Sequence, residues 1–367
     1  MWSAIAAHFN EADYKDDYIA VFDVAQMRLA KHPWSLVSHE HSFLRNVIEG
    51  AGVPLMDRAT RIRVEAMSGS DEVFLLPSDA AARLRLRREI TRPWAEASSI
   101  RDWGVVPDGI ALTPYDESDR LVPFDTRAPW GRYLWRYKAV LGSRVALGKR
   151  LSEEWWGWAR WSPRPRRGAP CLICPIAAGS NHFALAAGDA IYHHAHVIEL
   201  PPGTSEDEVF ALLGYLNSST AGWWLKLVSA SKTQSAGFEG ANVVYDFSSV
   251  TKAPIPEDVV NAGPRRAEIA ALARRLHAAA EERAKCAPEL VLEEWKWGSR
   301  RSLLTAFAEA EQRDVRLLRR MICDQEDLDW LIYKVIGIAG DESSRMAGSA
   351  LAEHRPFTWL SDRPPKG

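Results

Sequence analysis

Cysteines and histidines are the side chains of this sequence best suited to metal or redox chemistry. Cys171-x-x-Cys174 has the spacing of half a structural zinc site, but such a site needs four ligands, and Cys286 and Cys323 are single and distant. On a strand, positions three apart point to opposite faces. The pattern therefore favours a buried strand over a metal or redox site.

His193-His194-x-His196 is the second cluster of this kind. On a strand, His194 and His196 would share one face, so a metal-dependent hydrolase that uses the 193–196 cluster, with Cys171 as a further ligand, stays open as an alternative. No acidic or histidine partner stands at a telling spacing. We therefore expect a polar strand face, or histidines that face DNA, and no metal ligands. No Gly-x-Ser-x-Gly motif marks a serine nucleophile.

The strongest signal is a stretch rich in arginine and tryptophan. Residues 127–167 hold eleven Lys and Arg against two Glu, a net charge of +9, and six of the sixteen tryptophans. Nucleic-acid binders need cations for phosphates and planar groups for stacking or groove contact. A solvated helix face above a Trp-filled core would have the same composition, so a protein-interaction module without a DNA function stays open as well.

The elements that carry these residues predict an α+β fold, a mixed sheet followed by a helical hairpin or bundle. The 367 residues are 47% hydrophobic and 26% charged, which is typical of globular proteins. Alternating or apolar runs predict strands, and helical periodicity predicts helices. The predicted strands are 18–23, 61–66, 73–77, 109–116 (ending in a turn), 171–176, 183–185, 194–200 and 243–247. The predicted helices are 38–49, 79–90, 207–217, 220–229, 265–287, 302–321 and 325–336, and 129–161 is expected to be mostly helical.

Targeting signals are absent from the pattern. No run approaches 18 uninterrupted apolar residues, and the first ten residues lack a basic region followed by an apolar run. We therefore expect a cytoplasmic protein without a membrane span. The net charge of −2 also excludes a uniformly basic surface.

Three segments together resemble one protein family. They are Asn181-His-Phe-Ala-Leu185, the segment 196–208 that contains Glu199-Leu-Pro-Pro-Gly203, and the segment 211–226 that contains Asn217-Ser-Ser-Thr220. All three resemble the C-terminal half of large adenine-specific DNA methyltransferases, above all the PglX type of BREX phage-defence systems. That group is akin to Eco57I-type restriction-modification enzymes with a TaqI-like specificity domain. Residues 100–103 and 325–337 agree, and the resemblance spans roughly residues 30–340.

The departures from the family matter equally. Its members methylate an extruded adenine through an Asn/Asp-Pro-Pro-Tyr/Phe motif. None of the six asparagines here precedes Pro-Pro, the pairs at 201 and 364 lack the flanking residues, and the glycine-rich turn for S-adenosylmethionine is absent. The resemblance thus implies a target-recognition part that binds double-stranded DNA, is inactive alone and holds no cofactor. S-adenosylmethionine would belong to a catalytic domain or subunit that acts as its partner.

The pattern of predicted elements, together with this resemblance, divides the chain into four parts: an N-terminal segment (1–60), the target-recognition domain (61–260), a helical region (261–340) and a loop-like tail (341–367). Within them we expect two kinds of DNA contact. Phosphates would be held by cationic side chains in the Arg/Trp-rich stretch, namely Arg132, Arg136, Arg144 and Arg150.

Bases would be read by polar side chains at the ends of elements, namely Asn181, His182, Asn217 and Ser218. For Asn217 and Ser218, ordinary helix capping remains the alternative. Arg101 and Trp103 stand at the start of the recognition region. Lys226 and Lys232 flank a Ser-, Gly- and Ala-rich loop that could close over DNA.

Overall fold

A computed structural model describes residues 2–12, 14–16, 19, 21, 23 and 26, and the ranges 39–101, 103–146, 149–162, 169–229, 245–295 and 300–340. These residues form a mixed α and β structure, which confirms the predicted α+β class. No helix in the described part of the chain combines the length and the hydrophobicity that a membrane crossing requires.

Twelve α-helices have their bounds within the described residues. They are α1 (Trp2–His8), α2 (His39–Gly50), α3 (Asp71–Phe74), α4 (Ser78–Arg83), α5 (Pro129–Trp135), α6 (Lys138–Ser143), α7 (Glu206–Leu216), α8 (Ser219–Val228), α9 (Glu257–Val260), α10 (Pro264–Ala284), α11 (Pro288–Glu294) and α12 (Arg300–Val335).

Eighteen short strands lie in the same ranges. They are β1 (Gly52–Pro54), β2 (Arg61–Val64), β3 (Ala66–Met67), β4 (Leu75–Leu76), β5 (Thr91–Glu96), β6 (Ile100–Arg101), β7 (Gly104–Val105), β8 (Gly109–Leu112), β9 (Val145–Ala146), β10 (Lys149–Arg150), β11 (Arg160–Trp161), β12 (Cys171–Pro175), β13 (Ala177–Ala178), β14 (Ala184–Leu185), β15 (Ile191–His193), β16 (Ala195–Glu199), β17 (Tyr245–Asp246) and β18 (Pro254–Pro256).

Two four-stranded sheets form the centre of the described structure. Sheet A has the order β14-β12-β16-β2 and is antiparallel throughout. Sheet B has the order β15-β5-β8-β4, with β15 parallel to β5 and the other pairs antiparallel. His194, at a φ of 53°, links β15 in sheet B to β16 in sheet A. The chain therefore passes from one sheet to the other at a single residue.

Three hydrophobic cores separate the layers. Sheet A buries Leu172 and Ile198 against helices α7, α8, α10 and α12. Its other face, with Cys171, meets Ala95 and Tyr192 of sheet B. The far face of sheet B packs on an aromatic core beneath α5 and α6, which contains Phe74, Tyr115, Trp130, Tyr133, Trp155 and Trp158. The Trp-filled core that composition suggested is therefore present.

Several predicted elements need correction. The predicted helix 79–90 ends at Arg83, because Arg85 adopts the left-handed region with a φ of 53° and its neighbour Leu86 donates to the Ala81 carbonyl, as in a Schellman cap. Pro93, expected to stop that helix, lies inside β5. Proline has no N–H to donate, but no hydrogen bond to β15 is lost here, because β5 begins to pair with β15 only at Trp94.

Three further predictions differ in the same way. Val73 and Phe74 end the short helix α3 instead of opening a strand. The segment 129–161 contains two short helices and then short strands rather than one mostly helical stretch. The two helices predicted for 302–321 and 325–336 are one helix, α12, because Ile322, Cys323 and Asp324 supply no glycine or proline that would end it.

Candidate nucleic-acid interface

An exposed face of α5 and α6 carries both cations and an aromatic ring. Trp130, Tyr133 and Leu134 are buried in the aromatic core, whereas Arg132, Trp135, Arg136 and Lys138 are exposed. Both sets follow the spacing of one helical face, so α5 divides cleanly into a packed side and an open side. We call Arg132, Trp135, Arg136 and Lys138 the basic–aromatic surface.

Trp135 is a firmly supported ring in this surface. The Trp135 side chain is half exposed. Its ring stacks on Phe124, with the ring centroids 5.9 Å apart, and its centroid lies 6.1 Å from that of Trp155. Lys138 places its Nζ 4.4 Å from the Trp135 centroid. A cleft bounded by Trp135, Lys138 and Trp155 opens beside it, with Gly142 and Ser152 at its edge. An exposed, rigid ring next to cations suits stacking or groove contact with a nucleic acid.

The charges of the basic–aromatic surface are not neutralised inside the described structure. Arg132, Arg136 and Lys138 make no ion pair with any of the residues that the structure describes. Arg92 and Arg283, by contrast, pair with Asp119 and Asp314. Cations that lack internal carboxylates remain available to an external polyanion.

Arg144, also predicted to contact phosphate, lies elsewhere. Its side chain is buried, and its guanidinium donates to the carbonyls of Leu141 (2.9 Å), Trp155 (2.7 Å), Gly157 (2.7 Å) and Ser68. Five N–H donors in a fixed fork can satisfy several carbonyls at once. In this conformation Arg144 is an internal brace of the aromatic core and presents no surface to DNA.

Asn181, Asn217 and Ser218, predicted to read bases, form a buried junction. Asn181 donates to the carbonyls of Leu216 (2.7 Å) and Ser218 (2.9 Å). Asn217 bonds the backbone N–H and carbonyl of Phe183, both at 2.9 Å. Ser218 caps α8 by accepting from the Ala221 N–H at 3.2 Å, so the capping alternative describes this residue. Asn181 and Asn217 hold the β14 region to the α7–α8 turn, and Ser218 bonds within that turn. All three side chains are buried and leave no surface for DNA in this conformation.

The same junction reaches the helical region. Gln325 on α12 donates to the Asn217 carbonyl at 3.2 Å and accepts from the Trp103 indole N–H at 3.0 Å. Asp329 accepts from the Ser219 N–H at 2.8 Å. Trp103 is buried and has a φ of 70°, so its predicted DNA contact gives way to packing against α12. The roles of Gln325 and Asp329 could not be predicted from the sequence, because helical periodicity places them on a helix but does not identify hydrogen-bond partners that lie far away along the chain.

Arg101, His182 and Lys226 are brought together by the fold. Arg101 donates to the His182 Nε2 at 2.8 Å, and His182 is almost wholly buried. Burial, together with the charges of Arg101 and Lys226, lowers the pKa of His182 to about 3. His182 is thus a neutral acceptor inside the fold rather than a base-reading side chain. Arg101 and Lys226 are both partly exposed.

Two predicted contacts cannot be placed at side-chain level. Arg150 pairs with Val145 through its backbone in the β9–β10 hairpin, while its side chain lies outside the description. Lys232 falls outside the described residues. Trp135 and Lys138 were not singled out beforehand, although the helical spacing that buries Trp130 and Tyr133 was a signal that could have found them.

The cysteine and histidine clusters also take definite positions. Cys171 and Cys174 lie on opposite faces of β12, in different cores, and no disulfide is formed. Burial raises the pKa of the Cys174 thiol. His194 is not on a strand, so it does not share a face with His196 as expected. Instead His193 and His194 both bond Glu96.

Comparison with known proteins agrees with the resemblance noted in the sequence. No family model matches the chain. It is 28% identical over 358 residues to the adenine-specific methyltransferase PglX of Streptomyces coelicolor, an alignment that covers 93% of this chain and 28% of that protein. The chain therefore spans little more than a quarter of the length of this curated relative. Along nearly its whole length, the chain is similar in sequence to part of a PglX-type adenine-specific methyltransferase.

Proposed function

We propose that this chain is the DNA-binding target-recognition part of an adenine-N6 DNA methyltransferase of a phage-defence or restriction-modification system. The observation that carries the proposal is the basic–aromatic surface, present in a chain that is similar over 93% of its length to a protein named as an adenine-specific methyltransferase. Such a surface supplies both sequence-independent attraction to phosphates and a planar contact.

Each side chain of the surface has a definite role in this proposal. Arg132 on α5 and Arg136 at its C-terminal cap lie four residues apart and contact the phosphates of one strand, because both are exposed and neither pairs with a carboxylate of the described residues. Lys138, held over the Trp135 ring, contributes a third charge. Trp135 packs into the groove or against a sugar and does not read sequence by hydrogen bonds, since an indole carries a single donor.

Methyl transfer is assigned to a partner domain or subunit. The Asn/Asp-Pro-Pro-Tyr/Phe motif and the glycine-rich cofactor turn are absent from these 367 residues. S-adenosylmethionine and the extruded adenine would therefore be held by that partner, and the present chain would place the duplex. The finer relation to BREX systems, and to Eco57I-type enzymes with a TaqI-like specificity domain, belongs to this proposal, as does a cytoplasmic location.

The buried junction around Asn181 and Asn217 is a positioning device in this scheme. It ties the recognition sheet to α8 and α12 through side-chain bonds to backbone groups. A target-recognition part must hold its DNA-facing surface rigidly relative to its partner, because small displacements weaken a binding or catalytic geometry strongly. The segment that most resembles the family is thus assigned to rigidity rather than to base contact.

The direct test is selection of duplexes from a random double-stranded pool by the purified chain, followed by affinity measurement on the enriched sequence. The proposal predicts an enriched site bound about a thousandfold more tightly than random duplex at moderate salt. A folded chain that retains no duplex at low salt would contradict it and would favour the protein-interaction module. Uniform binding to all duplexes would contradict the target-recognition role alone.

A further inference from the structure

Three side chains suited to a metal ion converge where sheet B passes into sheet A. In the parallel pairing of β15 with β5, His193 lies directly opposite Glu96. The next residue, His194, takes a φ of 53°, which turns its ring back beside that of His193 with centroids 3.8 Å apart. Strand register and one left-handed residue therefore bring two imidazoles to one carboxylate.

The distances make Glu96 the common neighbour of both rings. The Nδ1 of His193 lies 2.8 Å from Glu96 Oε2, and the Nδ1 of His194 lies 3.0 Å from Glu96 Oε1. The candidate ligand atoms of the three residues all lie within 4.8 Å of one another. Glu96 is also fixed through its backbone, since its N–H donates to Asp108 Oδ2 at 2.7 Å.

A second carboxylate, that of Asp71, influences which nitrogen of the His193 ring holds the proton. Its Nε2 lies 3.2 Å from Asp71 Oδ2, and Asp71 in turn accepts from the Ser68 hydroxyl. A neutral imidazole has one N–H, so with Nε2–H directed at Asp71 the Nδ1 turns a lone pair toward the Glu96 carboxylate. Either a second proton on Nδ1 or a metal cation bound by Nδ1 and Glu96 offsets that repulsion. A histidine held at its far nitrogen by a carboxylate is also the usual support of a metal ligand.

The ligand types narrow the choice of cation. Two imidazole nitrogens and a carboxylate suit a divalent transition metal better than Ca²⁺ or Mg²⁺, which prefer oxygen ligands. Three protein ligands leave a position for water. The side chain of His193 is only 8% exposed while that of His194 is 61% exposed, so one side of the cluster is anchored and the other is open to entering ions.

We propose that Glu96, His193 and His194 bind one divalent transition-metal ion, most simply Zn²⁺. The ligands are the Glu96 carboxylate and the two histidine Nδ1 atoms. Asp71 and Ser68 orient His193 and do not touch the ion. The ion fastens β5 to the β15–β16 connection, and hence sheet B to sheet A. This site differs from the His194 and His196 pairing considered from the sequence alone, and it is independent of DNA binding.

The test uses the full chain after chelator treatment, titrated with Zn²⁺ by calorimetry and with Co²⁺ by visible absorption. We expect one equivalent of either ion, a Co²⁺ spectrum of a four- or five-coordinate site, and a higher melting temperature with Zn²⁺. Glu96→Gln and His194→Asn should each weaken Zn²⁺ binding by about 100-fold or more. His194 is exposed, so its replacement leaves a folded protein in which the loss is interpretable.

His196→Gln is the matched control, because it removes the histidine that is nearest to the cluster along the chain. It should leave Zn²⁺ affinity unchanged. Binding of less than one equivalent, with a His193 ring that NMR shows doubly protonated, means that a proton holds the cluster and overturns the proposal. Binding that survives Glu96→Gln and His194→Asn but fails in His196→Gln overturns it as well.

Discussion

The side-chain amide of Asn181 packs directly on Gly222, so closely that a β-carbon at position 222 would overlap its oxygen. Gly222 lies in the first half of α8, where alanine would otherwise be the better helix former. Its glycine is explained by this contact, which brings the Asn181 amide to the Leu216 and Ser218 carbonyls.

Gly222→Ala should therefore destabilise the protein although it improves helix propensity. The added methyl forces Asn181 away from its two carbonyl partners in a packed interior, a strain of about 1–3 kcal/mol in the free energy of unfolding. Urea unfolding measures it. Gly142→Ala is the control, because the nearest atom to its added β-carbon would be Trp155 Cβ at 3.8 Å, an ordinary contact. Equal stability of the two variants would show that the close approach does not exist.

Arg144 and Arg136 should behave oppositely when each is replaced by Ala. Arg144→Ala removes the side-chain donor of four buried carbonyls, of which Leu141 and Ser68 keep a backbone donor, so we expect a loss of roughly 3 kcal/mol in the free energy of unfolding. Arg136→Ala removes an exposed side chain and should change stability by about 0.5 kcal/mol at most. Its effect should appear in DNA affinity instead. A stable Arg144→Ala variant with weakened DNA binding would return that residue to the phosphate contacts first expected of it.

The burial of His182 gives the stability a pH dependence with a defined sign. Its pKa is about 3 in the folded chain, below the ordinary value of 6.5, because burial and the Arg101 and Lys226 charges disfavour the imidazolium. The unfolded chain therefore binds the extra proton. The contribution is complete above pH 6.5 and is lost as the pH falls from 6.5 toward 3, with a limiting slope of about 1.4 kcal/mol per unit.

Comparison with His182→Gln isolates this contribution, since many carboxylates also titrate at low pH. The difference in unfolding free energy between the two proteins should shrink steadily from pH 7 to pH 4. A difference that stays constant over that range would mean that His182 is accessible to protons in the folded chain.

The sequence pattern predicted correctly those helices and strands that depend on residues close together in the chain. The alternation near Arg61, the apolar run at Cys171 and the acidic, Ser-capped start of α7 gave elements close to those observed, because side-chain period and caps act within a few residues. β5 was missed because Pro93 is an ordinary breaker, and only the neighbouring β8 and β15 show that a strand tolerates it there.

The positions of the predicted site residues in the fold could be foreseen only in part, for the same physical reason. Arg132 and Arg136 are exposed as expected, since composition and helical spacing report on a surface. Arg144 and Asn181 are also polar, but their hydrogen-bond partners include residues far away along the chain. Residue type and local spacing therefore could not show that these side chains bond inside the fold instead of contacting DNA. In the sequence, the residues of this junction stood out only because their segments resemble the methyltransferase family. Such a resemblance does not reveal the role of a single side chain.

Methyl transfer should not occur with this chain alone. Because the base-clamping motif and the cofactor turn are absent from the sequence, we expect no incorporation of labelled methyl from S-adenosylmethionine into an adenine-containing duplex. An unrelated adenine methyltransferase acting on the same duplex serves as the positive control. Incorporation above the level of a protein-free reaction would place a catalytic site in these residues.

The DNA-binding role is tested most directly by the salt dependence of duplex binding in two matched double variants. Arg132→Ala/Arg136→Ala removes two charges from the basic–aromatic surface, and Arg316→Ala/Arg319→Ala removes two exposed charges from α12. Because each phosphate contact contributes about 0.9 to the slope of log affinity against log salt, the first variant should flatten the slope by about two units. The second should leave it unchanged. Equal slopes in both variants and the parent chain would contradict DNA binding through this surface.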